Sequence, residues 1–156
     1  MKKQVFVSLS IISLFFVQSC KESDPEPTKT KTELLCASPW IMKSATVDPS
    51  INIGGTMISD IFSQYESCEK DDLVKYESNK TGNYDEGATK CNASDPQSQP
   101  FTWTFDLTET KITEDGVTYD VVQLDANTLK YSAVLDGDDI GGTSGVKYKF
   151  TATYSH

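Results

Sequence analysis

Side chains that could support nucleophilic catalysis are scarce in this chain of 156 residues. Ser-His-Asp and Cys-His sites need a histidine beside the nucleophile as a general base. The only histidine, His156, stands at the carboxyl end of the sequence, where we expect fraying. The cysteine spacings match no zinc motif, which would normally include several His and Cys ligands. We therefore predict no catalytic residues, no metal and no cofactor, and we expect a protein that is not an enzyme.

Cys20 has the clearest chemical assignment. Two lysines open the chain, and residues 5–17 form an apolar run broken only by serines. This run is shorter than the ~20 apolar residues that span a bilayer, so residues 1–19 predict a cleaved secretory signal peptide. Val17–Cys20 resembles the lipobox cut by signal peptidase II, although Gln18 stands where a small or aliphatic residue is more common. We expect Cys20 to carry the lipid that binds the membrane; the alternative is an ordinary signal peptide with a chance cysteine.

Residues 20–33 are polar and contain two prolines, so this segment cannot bury enough apolar surface to fold alone. We predict a flexible tether here, followed by one domain over residues 34–156. The Lys-Glu-x-Asp sequence at residues 21–24 resembles a surface-export signal of some Gram-negative lipoproteins, and an acidic linker without an address is the alternative. The expected location is the bacterial cell envelope, at the outer membrane, facing the periplasm or the surface.

Three cysteines remain for the domain, in a compartment that permits disulfides. Cys68 and Cys91 flank one predicted hairpin and form the favoured pair. Cys36 is left over, as a buried thiol, an alternative disulfide partner or an intermolecular link.

Composition excludes one class of partner. The formal net charge is −9, and the chain contains no arginine. Nucleic-acid binding needs a basic surface, and arginine is the preferred ligand for phosphates. We therefore expect no nucleic-acid partner, and the sequence leaves any protein partner unidentified.

Acidic clusters in the sequence have simple structural explanations. Asp136, Asp138 and Asp139 lack the spaced ligands of a helix-loop-helix calcium site, so we expect a solvated turn. Glu69, Asp71 and Asp72 follow Cys68 directly, and we expect solvation and local hydrogen bonds there.

Alternating apolar residues indicate an all-β domain. The clearest run places Phe101, Trp103, Phe105 and Leu107 on one face. Turn residues such as Asp136-Gly137 separate the runs and are typical of hairpins. We predict eight strands, at 39–47, 71–78, 81–88, 100–107, 109–113, 117–124, 128–135 and 145–154. Such an up-and-down meander with one apolar face removes its edges by closing into an antiparallel barrel.

One segment follows a different period. Met57, Ile58, Ile61, Phe62 and Tyr65 recur at three- and four-residue spacing. We predict one short amphipathic helix here, between strands 1 and 2, starting near Thr56 and packing over one barrel mouth; the alternative is a mobile lid over a ligand.

The order of these elements resembles the bacterial lipocalin-like domain family of small lipid-anchored lipoproteins. The resemblance rests on Trp40, the Cys-Glu-Lys-Asp-Asp segment at residues 68–72, Gly82-x-Tyr84 before Cys91, Trp103, and the Leu-Asp-x-x-Thr-Leu-Lys segment at residues 124–130. It covers residues 34–154 and implies a lipocalin-like barrel in which Cys68 and Cys91 are paired. Ser38-Pro39-Trp40 departs from the usual Gly-x-Trp, and Cys36 has no counterpart in the pattern.

An eight-stranded barrel is wide enough to be filled by side chains or to hold one small ligand. The aromatic residues predicted to point inward are Trp40, Trp103, Phe105, Tyr131, Tyr148 and Phe150. They are our candidates for lining a site for a small apolar or amphipathic molecule. In the alternative they fill the core, and the barrel acts as a structural or protein-interaction module at the envelope surface.

Overall fold

The computed structural model describes residues 28–156, which form one antiparallel sheet of nine strands. The strands are β1 (Trp40–Ile53), β2 (Thr56–Asp60), β3 (Leu73–Tyr76), β4 (Thr81–Asp85), β5 (Ser98–Phe105), β6 (Lys111–Glu114), β7 (Val117–Leu124), β8 (Thr128–Asp136) and β9 (Lys147–Ser155). Within these residues one α-helix, α1, spans Lys31–Leu35, and 3₁₀ turns lie at Phe62–Gln64 and Gly137–Asp139. The predicted signal peptide, and Cys20 with most of the predicted tether, lie outside the described residues.

Eight of the strands close into a barrel. From β3 to β9 each strand pairs with the next, and β1 pairs with β9 from Ile41–Ser155 to Asp48–Lys149. Closure gives both edges of the meander a hydrogen-bonded neighbour, as a sheet with one apolar face requires. The predicted all-β, eight-stranded antiparallel barrel is confirmed.

The predicted helix over residues 56–65 is wrong for most of its length. Thr56–Asp60 is the extra strand β2, which folds back on the end of β1, and helical structure is limited to the 3₁₀ turn at Phe62–Gln64. Gly54 and Gly55 make the hairpin turn with φ of 61° and 92°, values that suit a type I′ turn. Met57 is 61% exposed, so the apolar spacing does not mark a buried helix face.

Side chains fill the barrel near the start of β1. The capping box of α1, formed by Thr30 and Glu33, starts a helix that buries Leu35 beneath Trp40. The largest fully buried side chains, together with the almost fully buried Trp103, form a group that we call the filled core. Its members are Leu35, Trp40, Tyr76, Trp103, Ile112 and Leu129. His156, expected to fray, instead lies with its ring 4.0 Å from the Trp40 ring.

The closure between β1 and β3 is short. Only two residue pairs, Trp40–Val74 and Ile41–Leu73, join the strands. Farther along, β1 pairs with β2 on that side instead. The two barrel strands therefore diverge, and the segment 61–72 lies over the space between them.

Candidate functional site

The structure places four of the six predicted lining aromatics in the core: Trp40, Trp103, Tyr131 and Tyr148 are buried. Their polar atoms have protein partners. The Trp40 indole N–H donates to the Leu35 carbonyl at 2.8 Å, and that of Trp103 donates to the Thr81 carbonyl at 3.0 Å. The Tyr148 hydroxyl accepts a hydrogen bond from the Thr143 N–H at 3.0 Å. These contacts describe a satisfied core, and contact of any of these four side chains with a ligand stays a prediction.

Phe105 and Phe150 are only partly buried. The Phe105 ring packs edge-on against Trp103, with centroids 5.5 Å apart. Phe150 packs against the buried cluster that contains the filled core and against a second cluster of Val47, Ile51 and Tyr148. It also lines a cavity, which makes it the predicted residue best placed for a ligand.

A first cavity, of about 270 Å³, lies where β1 and β3 diverge. Met42, Leu73 and Val74 provide apolar walls from the two strands. Asp72 and Glu69 provide carboxylates from the covering segment. We call this the acid-ended cavity, and its remaining lining residues are Tyr65, Tyr84 and Tyr154. Tyr84 is 43% exposed, so the cavity opens to solvent on that side.

A second cavity, of about 350 Å³, lies at the far end of β1. Most of its wall is aliphatic or aromatic, and we call it the apolar cavity. It is lined by Ile51, Ile53, Ile61, Gln64, Tyr65, Tyr119, Leu135, Ile140 and Phe150. The extra hairpin is the reason for this wall, because it extends β1 past the last residue paired with β9.

Tyr65 lines both cavities. It follows the 3₁₀ turn at Phe62–Gln64 and is partly buried. Burial, followed by the Glu69 carboxylate, raises the pKa of its hydroxyl. The side chain therefore stands between an acidic compartment and an apolar one.

A disulfide holds the covering segment in place. Cys68 and Cys91 are bonded, with their Cα atoms 5.2 Å apart, which confirms the predicted pair. Cys36 is the free cysteine of the described residues and is partly buried. Glu66 lies close to both bonded sulfurs, but disulfide sulfurs are not thiolate ligands, so this group does not constitute a metal site.

Two adjacent aspartates have opposite environments. The Asp71 carboxylate accepts hydrogen bonds from the backbone N–H groups of Ala88 and Thr89 and from the Thr89 hydroxyl. The Thr89 hydroxyl, above all, holds the pKa of Asp71 below its usual value. The Oδ1 atom of Asp72 is buried and has no hydrogen-bond partner among the described residues. Local hydrogen bonding, expected for the whole cluster, is thus found at Asp71 but not at this oxygen.

Burial raises the pKa of Asp72 to about 6, and nearby carboxylates add to the effect. In order of influence these are Glu86, Asp71, Glu69 and Asp85. Each of these groups contributes negative charge near Asp72, so the acid-ended cavity is acidic at this end.

Behind the cavity lies a buried carboxylate, Glu114 of β6. It is 4% exposed, and its Oε1 accepts a hydrogen bond from the Tyr76 hydroxyl at 2.6 Å. Burial raises the pKa of Glu114 to about 6, while the hydroxyls of Tyr76 and Tyr84 act in the lowering direction. The Tyr154 hydroxyl lies 2.8 Å from that of Tyr131. Tyr154 therefore connects the cavity wall to a hydrogen bond inside the barrel, and the Tyr84 hydroxyl influences the buried Glu114 carboxylate.

Glu114 is not evident as a buried residue from the sequence, because it stands in the Glu-Asp-Gly segment that is typical of a turn. The missed signal is the period of two, since Ile112 is fully buried and Glu114 shares its face of the sheet.

The segment at residues 136–139, which we expected to be a solvated turn, also makes local contacts. Asp138 accepts a hydrogen bond from Ser144, and Asp136 pairs with Lys147 at 2.7 Å.

No protein-family model matches the chain, and no curated protein matches it. The resemblance to the lipocalin-like lipoprotein family therefore stays a prediction. Along residues 28–156, helices are too short or too polar to cross a membrane.

Proposed function

We propose that this chain is a binding protein whose barrel holds one small amphipathic molecule. The observation that carries the proposal is the position of Tyr65 between the acid-ended cavity and the apolar cavity. A ligand with a polar head and an apolar tail fits this arrangement, because each part meets a wall of matching character.

The volumes support the same conclusion. Binding sites for small molecules usually occupy about 300–1,000 Å³. The two cavities, at about 270 and 350 Å³, each fall near the lower bound, and together they fall within the range. Both cavities border the Tyr65 side chain, so we expect movement of that side chain to join them.

We place this binding protein at the cell envelope, anchored by lipid on Cys20. The signal-like residues 1–19 and the lipobox-like Val17–Cys20 are the basis of this placement. The Cys68–Cys91 disulfide supports it, since disulfides persist in oxidising compartments. Globomycin, which blocks signal peptidase II, should cause the uncleaved precursor to accumulate in the expressing cells. Processing that is unchanged by globomycin, or a Cys20→Ala variant that is still extracted with membranes, would contradict the lipid anchor.

Binding can be tested with N-phenyl-1-naphthylamine, an uncharged probe whose fluorescence rises in apolar surroundings. We expect saturable binding to the domain, weakened about tenfold or more by Ile53→Asp, because a charge in an apolar wall costs over 1.4 kcal/mol. Ile53 is 44% exposed and lines the apolar cavity, so the variant should fold. Val134→Asp is the matched control, since Val134 is 68% exposed and lies outside both linings.

Two results would contradict the binding function. Equal weakening by Ile53→Asp and Val134→Asp would place the probe outside the apolar cavity. Failure of the wild-type domain to bind the probe, with no small molecule retained in native mass spectra of protein from its source, would favour the structural alternative.

That alternative, an interaction module at the envelope surface, has one observation in its favour. Met57 and Ile53 expose apolar surface beside the turn of the β1–β2 hairpin. Cross-linking on intact cells should then recover an envelope protein from the wild-type chain and lose it with Met57→Asp. Recovery of the same protein with the variant would count against a role for the hairpin.

A further inference from the structure

We propose that the ligand carries a neutral carbonyl group, as in an ester, an amide or a ketone, and that the hydroxyls of Tyr65 and Tyr119 bind it. This inference rests on the proposed function and specifies the polar group that the apolar cavity recognises. It is drawn from the hydrogen bonds of the inward tyrosines, the volume beside them and the charges around them.

The tyrosine hydroxyls of the barrel interior differ in their hydrogen bonding. Those of Tyr131 and Tyr154 lie 2.8 Å apart and satisfy each other. The hydroxyls of Tyr65 and Tyr119 form no hydrogen bond with any of residues 28–156. Because a buried tyrosine hydroxyl normally has a partner, these two have a donor and acceptor available for a ligand.

Both unpartnered hydroxyls border unfilled volume. Tyr65 and Tyr119 line the apolar cavity of about 350 Å³. Among the described residues, the side-chain oxygen that is closed off from solvent-sized volume and lacks a hydrogen-bond partner is Oδ1 of Asp72. An unpartnered hydroxyl that is not closed off has space beside it, and at these two partly buried residues that space is the cavity.

The two hydroxyls lie near the same place inside the barrel. The Tyr119 ring packs 4.5 Å from the ring of Tyr131, whose hydroxyl bonds to that of Tyr154. Burial, above all, raises the pKa of the Tyr154 hydroxyl, and Tyr119 and Tyr65 are among the neighbours that add to the rise. Tyr119 comes from β7 and Tyr65 from the covering segment, so the two phenols approach Tyr154 from different parts of the wall. We therefore expect one ligand oxygen to accept from both.

The chemistry of a phenol favours a carbonyl oxygen. Each hydroxyl has one proton to donate, and the protons of Tyr65 and Tyr119 have no acceptor in the described chain. Burial raises the pKa of Tyr119 to about 12 and also raises that of Tyr65, so both remain protonated at neutral pH. A carbonyl oxygen has two lone pairs and no proton, so it accepts from both hydroxyls and leaves no polar atom of its own without a partner.

Charged groups fit this place less well. After burial, the Glu114 carboxylate raises the pKa of Tyr119, and the Glu69 carboxylate raises that of Tyr65. An anionic ligand group would therefore meet negative charge beside both hydroxyls. The lining of the apolar cavity contains no charged side chain, so a cation would lose its hydration there without gaining an ion pair.

Two probes of the same shape test the inference: octan-2-one, and 2-methyloct-1-ene, in which a CH₂ group replaces the carbonyl oxygen. Their affinities for the folded domain can be measured by displacement of N-phenyl-1-naphthylamine at pH 7.5. We expect Tyr65→Phe and Tyr119→Phe each to weaken octan-2-one binding by about two- to tenfold, the loss expected for one neutral hydrogen bond. Binding of the alkene should be unchanged, because each variant removes an oxygen and keeps the ring.

Tyr84→Phe is the matched control. It removes the same hydroxyl from a tyrosine that lines the acid-ended cavity and lies outside the lining of the apolar cavity. The variant should retain the affinity of the wild type for both probes.

Infrared difference spectroscopy of bound octan-2-one gives a second readout, which a change in packing alone would not reproduce. A hydrogen bond weakens the C=O bond, so the carbonyl band of the bound ketone should lie at a lower frequency than in hexane. In the Tyr65→Phe, Tyr119→Phe double variant the band should return towards its position in hexane.

The possible results distinguish the carbonyl assignment from the proposed function. Ketone affinity that is unchanged in Tyr65→Phe and Tyr119→Phe, or weakened equally in Tyr84→Phe, overturns the assignment while the amphipathic site stands. Equal weakening of the alkene, or a bound carbonyl band at its hexane position, does the same. Failure of both probes to bind overturns the assignment and counts against the proposed function as well.

Discussion

In the filled core, Trp40 and Trp103 are almost fully buried, and each indole N–H reaches a backbone carbonyl. In the acid-ended cavity, Asp72 keeps a buried oxygen without a partner and lies beside empty volume. Both regions belong to the same small barrel and share strands β1 and β3. One part of the barrel is therefore packed for stability, with its indole N–H groups satisfied, while the other leaves a buried carboxylate oxygen without a partner beside unfilled volume.

The physical origin of the difference lies in strand pairing. Trp40 sits where β1 still pairs with β3, and the barrel wall is continuous there. Beyond Ile41 that pairing ends, and the disulfide-bonded segment 61–72 replaces the sheet as the wall. A wall made of chain without strand pairing leaves volumes that side chains do not fill, and both cavities lie against it.

The largest expected effect is in the filled core. Trp40→Ala should lower the free energy of unfolding by about 3–5 kcal/mol, because it removes a fully buried aromatic side chain and leaves a cavity. It also removes the hydrogen bond to the Leu35 carbonyl, so the docking of α1 should loosen. Urea-induced unfolding followed by circular dichroism measures this loss. A loss below about 1 kcal/mol would contradict the stabilising role of this region.

Removal of the disulfide should have the next largest effect. The Cys68→Ser, Cys91→Ser double variant loses a cross-link between residues 23 positions apart, for which chain entropy predicts about 3 kcal/mol. Because the bond holds the wall of the acid-ended cavity, ligand binding should weaken together with stability. The Cys36→Ser variant is the control for binding, since Cys36 is free among residues 28–156 and lies outside the linings of both cavities, so ligand binding should not weaken. Probe binding that survives loss of the disulfide would show that segment 61–72 keeps its place without it.

Much of the filled core was predictable from the sequence, and most of the cavities were not. The strand at residues 117–124 was predicted with its observed bounds, because period-two alternation and turn residues are local signals. The spacing of Met57, Ile58 and Ile61 is local too, but it suits a helix or a hairpin equally. Pairing with the distant end of β1 decided between them.

The sequence also contains local signals for the hairpin and for α1, but the helix-like spacing of residues 57–65 and the polar composition of residues 20–33 outweighed them. Gly54-Gly55 between two apolar runs is a hairpin signal, and Thr30-x-x-Glu33 is a capping box that lies within the predicted tether. The acid-ended cavity depends on which pairs of β1 and β3 form and where the pairing stops. That is a property of the closed barrel, and no single stretch of residues encodes it.

Titration of the buried Glu114 carboxylate should change the free energy of unfolding by less than Trp40→Ala or loss of the disulfide does. The direction of its pKa shift fixes the sign of the change. The pKa of Glu114 is raised from 4.5 to about 6 in the folded protein, so the native state binds its proton more tightly than the unfolded chain does. This stabilisation is present below about pH 4.5 and is lost as the pH rises through 6, by roughly 1–2 kcal/mol. Asp72, whose pKa is also raised to about 6, contributes in the same direction.

Unfolding free energies of the wild type and of Glu114→Gln, measured between pH 4.5 and 7.5, check this prediction. The glutamine keeps an oxygen that can accept from Tyr76 but cannot ionise, so the pH dependence should become shallower. A slope that is equal in the wild type and in Glu114→Gln would show that burial does not penalise the charge of Glu114.

The smallest expected change in stability comes from Tyr65→Ala. Tyr65 is partly buried and borders volume on two sides, so its loss should cost about 1 kcal/mol, well below the cost of Trp40→Ala. The effect on binding should be larger than the effect on stability, because removal of the ring joins the two cavities. Decanol, whose tail can then pass from one cavity into the other, should bind more tightly than to the wild type, while hexanol should not. If Tyr65→Ala instead destabilises the domain as much as Trp40→Ala, Tyr65 belongs to the packed core, and the contrast between the two regions fails at the residue that separates the cavities.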